Sequence, residues 1–281
     1  MDKTRQLNQE LENKIAERTA ELRKLLSEQA QSAKLLVRRD LELTKANEKL
    51  HELDQRKSEF LSVAAHQLRT PLSAIKWTLN MILNGELGEI SNDQKVFLMK
   101  SYESNDRMIM LIEDMLRADR IDAGKYDFKP VSTQVLDIID NVLYEMLPDA
   151  TKRQVKIEFH RPDVVIPRLN VDQEKMRAVF QNLLDNAIKY TRPGGAVLID
   201  VRRFPDAVEF MVQDNGIGIP KEQQTLIFSR FFRARNAIKV ETDGNGLGLF
   251  IVKSIIEMHG GKIWFESEEN KGTAFYFTLK I

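Results

Sequence analysis

From Leu11 to Phe60 the chain contains no proline or glycine, helix formers dominate, and apolar residues recur at heptad spacing. Ile15, Leu22, Leu36, Leu43 and Leu50 hold one seam position, interrupted by Gln29. Leu11, Leu25, Ala46, Leu53 and Phe60 hold the other, interrupted by Arg18, Ser32 and Arg39. So narrow a seam on so long a polar helix cannot be buried against its own chain, which predicts a parallel two-stranded coiled coil over residues 1–54. A single solvated helix is the alternative, because the middle of the seam is weak. The same weakness would suit a segment that transmits changes in packing.

The helical pattern continues through SEFLSVAAHQLRTPLSAIKWTLNMIL to about Leu83, and NGELGEI then supplies turn residues. Ser91, with Gln94 three residues on, forms a capping box that opens a second helix. Its apolar positions, among them Phe97, Met108, Leu111, Ile112, Met115 and Leu116, need a partner surface. Residues 55–123 are therefore expected to form an antiparallel helical hairpin, and two copies a dimeric four-helix bundle. From 124 to 281 the pattern changes to helices near 132–147 and 172–190, mixed with segments rich in β-branched and aromatic residues. These are VKIEFH, AVLIDVRRF, AVEFMVQD, GKIWFESEE and GTAFYFTLKI, with the helix GLGLFIVKSIIEMHG between the third and fourth. Hairpin-like strand pairs and separated helices predict an α/β two-layer sandwich rather than a doubly wound parallel sheet.

Composition narrows the chemistry. A chain of 281 residues with 42 basic and 42 acidic side chains has no bulk attraction to nucleic acid or to an anionic membrane. The absence of cysteine excludes disulfides, thiolate metal sites and cysteine nucleophiles. The four histidines, His51, His66, His160 and His259, form no H-E-x-x-H or similar metal pattern. No run approaches the roughly 20 apolar residues that span a bilayer, and the first residues lack a signal-peptide stretch. The chain is thus expected to be soluble and cytoplasmic, with room for a sensor or membrane segment upstream in a longer parent.

Four motifs follow in order: NLLDNAIKYT (182–191), DNGIGIP (214–220), IFSRFFR (227–233) and GNGLGLFIVKSIIEMHGGKIWFES (244–267). Asn182 and Asn186 lie one helical turn apart and share a face. Asp214 ends an apolar strand and precedes Gly216 and Gly218, which permit close backbone approach. Gly244, Gly246 and Gly248 lead into a helix whose first N–H groups can hold phosphate. Glycines at this spacing would alone suggest a dinucleotide site, but they follow a polar loop rather than the first strand of a βαβ unit.

As a set, the motifs resemble the ATP-binding domain of sensor histidine kinases, within the superfamily of type II topoisomerase, Hsp90-like chaperone and mismatch-repair ATPases. The resemblance implies ATP and Mg²⁺, with Asn186 supplying an amide oxygen to the metal and Asn182 lining the phosphate side. It puts Lys189 near the phosphates, Tyr190 against adenine, and Asp214 under the exocyclic amine. Gly216 and Gly218 would shape the wall, and Gly244, Gly246, Leu247 and Gly248 the phosphate loop. The plain alternatives are a helix brace for Asn186, a solvated Lys189, a core Tyr190 and an Asx turn at Asp214. The stretch between the glycine motifs has the family role of a lid, with Phe228, Phe231 and Phe232 as anchors or as simple core. Arg230 or Arg233 would neutralise charge on the transferred phosphoryl group.

His66 lies in SVAAHQLRTPL, which resembles the phosphoacceptor motif of the same family's dimerisation domain. An imidazole lone pair is available near neutrality and can attack phosphorus without strong activation. The resemblance implies autophosphorylation of His66 in a homodimer, then transfer to an aspartate of a response-regulator receiver domain. Pro71 leaves the Gln67 carbonyl without its helical partner, so a kink or loosened turn is expected below His66. Thr70 would position water for dephosphorylating the regulator, or else bond back within the helix. Gln67 departs from the acidic residue that commonly follows the histidine, and it can accept a hydrogen bond but not a proton. Three rival readings remain: a nucleotide-binding scaffold without transfer, a chaperone- or topoisomerase-like ATPase, and a protein acting mainly as a phosphatase toward its regulator.

Overall fold

The computed structural model describes residues 2–124, 126–242 and 244–281, and it divides into two compact units, Met1–Glu59 and Phe60–Ile281. The described part of the first unit is helical throughout, belonging to α1 (Asp2–Leu83). Leu11, Ile15, Leu22, Leu25, Leu36, Leu43, Leu50 and Leu53 are all exposed there, so the heptad seam is bare on the single chain.

In the second unit α1 runs on to the turn and pairs with α2 (Asn92–Asp122). The capping box forms as the sequence predicts: Ser91 Oγ accepts from Gln94 N at 3.2 Å, and Gln94 Oε1 accepts from Ser91 N at 2.8 Å. The hairpin is antiparallel. Arg69 meets Glu113 at 3.8 Å, Lys76 pairs with Asp106, and Asn105 Nδ2 donates to the Leu72 carbonyl at 2.9 Å. These contacts bracket Pro71, and α1 passes through it unbroken. The expected loosening at Pro71 therefore does not interrupt the helix, since packing on both sides offsets one missing hydrogen bond.

The rest of the chain builds a five-stranded sheet covered on one face. In order come β1 (Val131–Thr133), α3 (Val135–Lys152), β2 (Lys156–His160), β3 (Leu169–Val171) and α4 (Gln173–Tyr190). Then follow β4 (Ala196–Arg203), β5 (Ala207–Asp214), α5 (Arg235–Val240), α6 (Gly248–Met258), β6 (Lys262–Glu268) and β7 (Gly272–Lys280). The large sheet has the order β2-β4-β5-β7-β6, so the last strand lies between two earlier ones. β2 pairs parallel to β4, because α4 crosses between them, and the other pairs are antiparallel. Strand alternation sends Val197, Ile199, Val201, Val208, Phe210, Val212, Phe275, Phe277 and Leu279 into one core beneath α4 and α6. Phe180 of α4 joins Phe210 and Phe277 at centroid distances of 5.5 Å.

Two differences from the sequence reading stand out. β1 and β3 pair as a separate two-stranded sheet, and each is three residues long, too short for a period-two signal. α3 begins later than position 132 and continues through Pro148 to Lys152.

Candidate nucleotide and phosphoacceptor site

Asp214 closes β5 and is only 7% exposed. Its Oδ1 accepts from Gly216 N at 2.8 Å and from Thr273 N at 3.3 Å, leaving Oδ2 for a ligand. Burial pushes this carboxyl up to about 6, against the opposing pull of those two backbone bonds. The loop behind it is pressed onto the end of α4: Ile217 N donates to the Tyr190 carbonyl at 3.1 Å, and a Cβ at Gly216 would strike the same carbonyl. Gly216→Ala is therefore expected to cost about 2 kcal/mol or more of stability and to weaken nucleotide binding with it. Parallel thermal melts and nucleotide titrations check both; a variant with wild-type values would remove the packing argument.

On α4, Asn182 Nδ2 donates to the Ala178 carbonyl at 2.8 Å, and its Oδ1 stands 2.6 Å from where a Gly248 Cβ would lie. Glycine at 248 thus lets the first turn of α6 close on α4. Asn186, one turn on from Asn182, is half-buried, and its amide is unengaged by the described residues. An uncommitted amide oxygen of this kind fits a hard cation such as Mg²⁺ whose main countercharge is triphosphate. Lys189 Nζ is held by Asp185 at 2.6 Å, and Tyr190 packs against Ile217, Ala234 and Ala237. A cavity of about 660 Å³ opens beside Lys189, Tyr190, Ile217 and Asn236, and Asp214 does not line it.

The segment between the glycine motifs holds a 3-10 turn (Lys221–Leu226) and α5. Asn236 Nδ2 donates to the Gly218 carbonyl at 2.8 Å, and Gln223 Oε1 accepts from Arg235 N at 3.0 Å, which seats α5 over the Asp214 loop. Phe228 reaches Phe265 and Phe275, and Phe232 also packs on the core. Phe231 does not. Its backbone is left-handed, with φ 60°, and its ring is 59% exposed, so two of the three expected anchors hold this segment. Neither expected arginine is free. Arg233 donates to the carbonyls of Glu241, Thr242 and Gly244, under the glycine loop. Arg230 donates to the Ala118 carbonyl at 3.0 Å and pairs with Asp122, both on α2.

In the glycine loop, Leu247 is wholly buried, so its side chain belongs to the core, and its N–H donates to Asn245 Oδ1 at 3.0 Å. Gly244 rests on the Arg233 guanidinium, and Gly246 has φ +69°. On α1, His66 and Gln67 are exposed beside the buried Ala65. Thr70 Oγ1 donates to the His66 carbonyl at 3.3 Å, the back-bonded alternative of the sequence reading.

Two family models match adjacent parts of the chain. Residues 56–124 match the "His Kinase A (phospho-acceptor) domain", and residues 171–281 match the "Histidine kinase-, DNA gyrase B-, and HSP90-like ATPase". The chain belongs to the sensor histidine kinases. Within this kinase family it is 36% identical over 234 residues to the sensor histidine kinase WalK of Bacillus subtilis, covering 81% of this chain and 37% of WalK. The adaptive-response sensory kinase SasA of Synechococcus sp. is 33% identical over 227 residues, covering 80% of this chain and 59% of SasA. Full-length ShkA, crystallised in complex with AMPPNP, superimposes with a TM-score of 0.64 at 27% identity, over 79% of this chain and 45% of ShkA. The chain thus spans between about one third and three fifths of these kinases' lengths. Among the described residues, no helix is long and apolar enough to cross a membrane.

Several residues with a place in the site escaped the sequence reading. Thr273 supplies a backbone N–H to Asp214 from 59 residues away, a pairing set by the sheet alone. Asn245 is given no role by the glycine motif that contains it, yet its side chain holds Leu247 N and shapes the loop. Asp114 and Asp122, which Asn245 and Arg230 meet, belong to no motif on α2.

Proposed function

We propose that the chain binds ATP, transfers the γ-phosphoryl group to His66, and passes it to an aspartate on a response-regulator receiver domain. One observation carries this reading. A buried carboxylate with one uncommitted oxygen, Asp214, stands behind a glycine loop in the same unit as an exposed histidine on the paired helices.

A ring nitrogen of His66 gives its lone pair to the γ-phosphorus while the bond to the β,γ-bridging oxygen breaks. ADP leaves with that oxygen, and the ring sheds one proton to solvent. Asp214 Oδ2 reads the exocyclic amine of adenine, a group that guanine lacks at that position. The first N–H groups of α6 and its glycine loop hold the phosphates, with Asn182 and Lys189 beside them. Asn186 would hold Mg²⁺, which supplies charge neutralisation for the transferred group when bound. Gln67 can orient the imidazole but cannot take its proton. The receiver aspartate then attacks the phosphoramidate, returning His66 to its free form. Thr70 permits a phosphatase activity toward the regulator once its hydroxyl leaves the His66 carbonyl.

The bare heptad seam, together with exposed Phe97, Met108 and Leu111 on α2, supports a homodimer through coiled coil and four-helix bundle. We divide the chain into a signalling helix (1–54), a dimerisation and phosphoacceptor domain (55–123) and a catalytic domain (124–281), acting in the cytoplasm.

The direct test is incubation with Mg-ATP labelled at the γ position, and in parallel at the α position. Only γ-label is expected on the protein; label from both, or from neither, would sink the phosphotransfer reading. Gln67→Glu is expected to change the rate of labelling several-fold while leaving ATP affinity within about two-fold, because the carboxylate can accept the imidazole proton. An unchanged rate across neutral pH would remove any proton-handling role from this position.

A further inference from the structure

Asp172, a buried carboxylate, gathers three parts of the chain. It caps α4, its Oδ1 accepting from Lys175 N at 3.2 Å and its Oδ2 from Lys175 Nζ at 2.8 Å. The same Oδ2 accepts from Lys129 N at 3.0 Å, which ties down the segment joining α2 to β1. The backbone N–H of Asp172 donates at 3.0 Å to Nε2 of His259, the C-cap of α6. His259 touches the joining segment as well, since Phe128 meets its ring edge-on at 4.7 Å. Lys175 in turn lies over the Tyr126 ring at 4.5 Å. Between Ala123, the C-cap of α2, and Val131, where β1 begins, the chain is thus seated at Tyr126, Phe128 and Lys129. Both ring nitrogens of His259 are committed to this seat. Nδ1 donates to the Ile255 carbonyl at 2.8 Å, so Nε2 is the bare nitrogen that accepts, and only the neutral ring satisfies both. A proton on Nε2 would set two donors against each other. The imidazolium would then turn to the Asp172 carboxylate, in competition with Lys129 N and Lys175.

Resting on the phosphotransfer reading above, we propose that His259 is a pH-sensitive positioning residue. Its neutral ring seats the joining segment on the catalytic domain and so keeps His66 within reach of bound nucleotide. Tether length carries the argument. Unseated, residues 124–130 form a strand of slack that extends to about 23 Å. Seated, the same residues give a shorter tether, which raises the effective concentration of the phosphoacceptor at the triphosphate. The surroundings set the direction of the titration. Burial holds the His259 pKa below its ordinary 6.5, against the Ile255 carbonyl and Asp172, which favour the charged ring, while Lys175 adds to the lowering. Other charges around it are Lys129, turned to Asp127 at 2.7 Å with Glu174 acting on it, and Lys280 of β7, which approaches Gly260. A folded-state pKa below the unfolded one makes the seat fully favoured above pH 6.5 and lost as pH falls through the folded-state value.

The test follows phospho-His66 formation from labelled Mg-ATP in the full chain, from about pH 7.5 down to about pH 5.5. His259→Gln offers an amide oxygen where Nε2 accepts, and it does not titrate. Its rate divided by that of the wild type is expected to rise about five-fold as pH falls, since other titrations are common to both proteins and cancel. His259→Phe keeps a ring against Phe128 but accepts nothing. At pH 7.5 it is expected to form phospho-His66 about five- to ten-fold more slowly, with Kd for Mg-AMP-PNP within about two-fold, and glutamine should restore most of the rate. Amide hydrogen exchange across residues 126–129 should be faster in His259→Phe than in the wild type at the same pH. A glutamine ratio that stays flat with pH overturns the proposal. So does a loss of AMP-PNP affinity in His259→Phe that matches its loss of rate, which marks the residue as a prop of the fold alone. Wild-type protein that takes no label overturns the phosphotransfer reading, whereas equal exchange at 126–129 in both proteins overturns the seat independently of it.

Discussion

Protein-bound phosphate from γ-labelled ATP is expected to fall to background in His66→Ala, a loss of at least about 100-fold, with nucleotide affinity unchanged within about two-fold. No other group takes the place of an in-line nucleophile once the imidazole is removed. The remaining histidines are poor substitutes for distinct reasons. His259 has both ring nitrogens engaged, Nε2 by Asp172 N at 3.0 Å and Nδ1 by the Ile255 carbonyl at 2.8 Å. His160 sits on β2, at the edge of the sheet, and His51 lies in the first unit. The label lost should be acid-labile and base-stable, as a phosphoramidate is. Label that survives in His66→Ala with the same lability would move the phosphoacceptor elsewhere and undo the reading of SVAAHQLRTPL.

Asp214→Asn is expected to separate stability from function. The amide oxygen can still accept from Gly216 and Thr273, but an NH₂ group now faces the exocyclic amine of adenine. Two donors opposed in a buried site should weaken ATP binding by about 100-fold or more. The empty protein should become more stable. The folded-state pKa of Asp214, about 6, lies above its ordinary 3.8, so the folded protein holds a proton through pH 4 to 6 that the unfolded chain has released. The contribution of this group is thus most favourable below about pH 4 and is lost as pH rises through 6. At pH 7.5 the buried carboxylate costs about 1–3 kcal/mol, which asparagine removes. Denaturation of both proteins without nucleotide should show a gap at pH 7.5 that closes toward pH 4. A variant less stable than wild type at pH 7.5 would show that the carboxylate's hydrogen bonds outweigh its burial.

Much of this arrangement was legible in the residues, and what was not has a physical cause. The capping box at Ser91 and Gln94 is local chemistry, so it could be read from four positions and forms as read. β5 could be read to its ends, because its apolar alternation and the following glycines bound it on the sequence. Pairing is a different matter. Nothing local says that Thr273 braces Asp214, or that β2 lies parallel to β4, since both depend on which strands become neighbours. The arginines show the same limit from another side. Guanidinium partners are chosen by packing, and α2 offered Arg230 a carboxylate and a carbonyl that no motif could reveal. Phe231 was misjudged because one left-handed residue turns a side chain outward within an otherwise apolar triplet.

Because β7 enters the sheet between β5 and β6, and carries the Thr273 brace of Asp214, the adenine pocket proposed above waits on a stretch of chain far downstream of Asp214. During synthesis His66 leaves the ribosome some two hundred residues before that strand does. A nascent or prematurely ended chain therefore presents its phosphoacceptor helix without a finished purine pocket. Such a fragment could still pair with intact copies through its hairpin, but it would bring no finished purine pocket of its own to the pair.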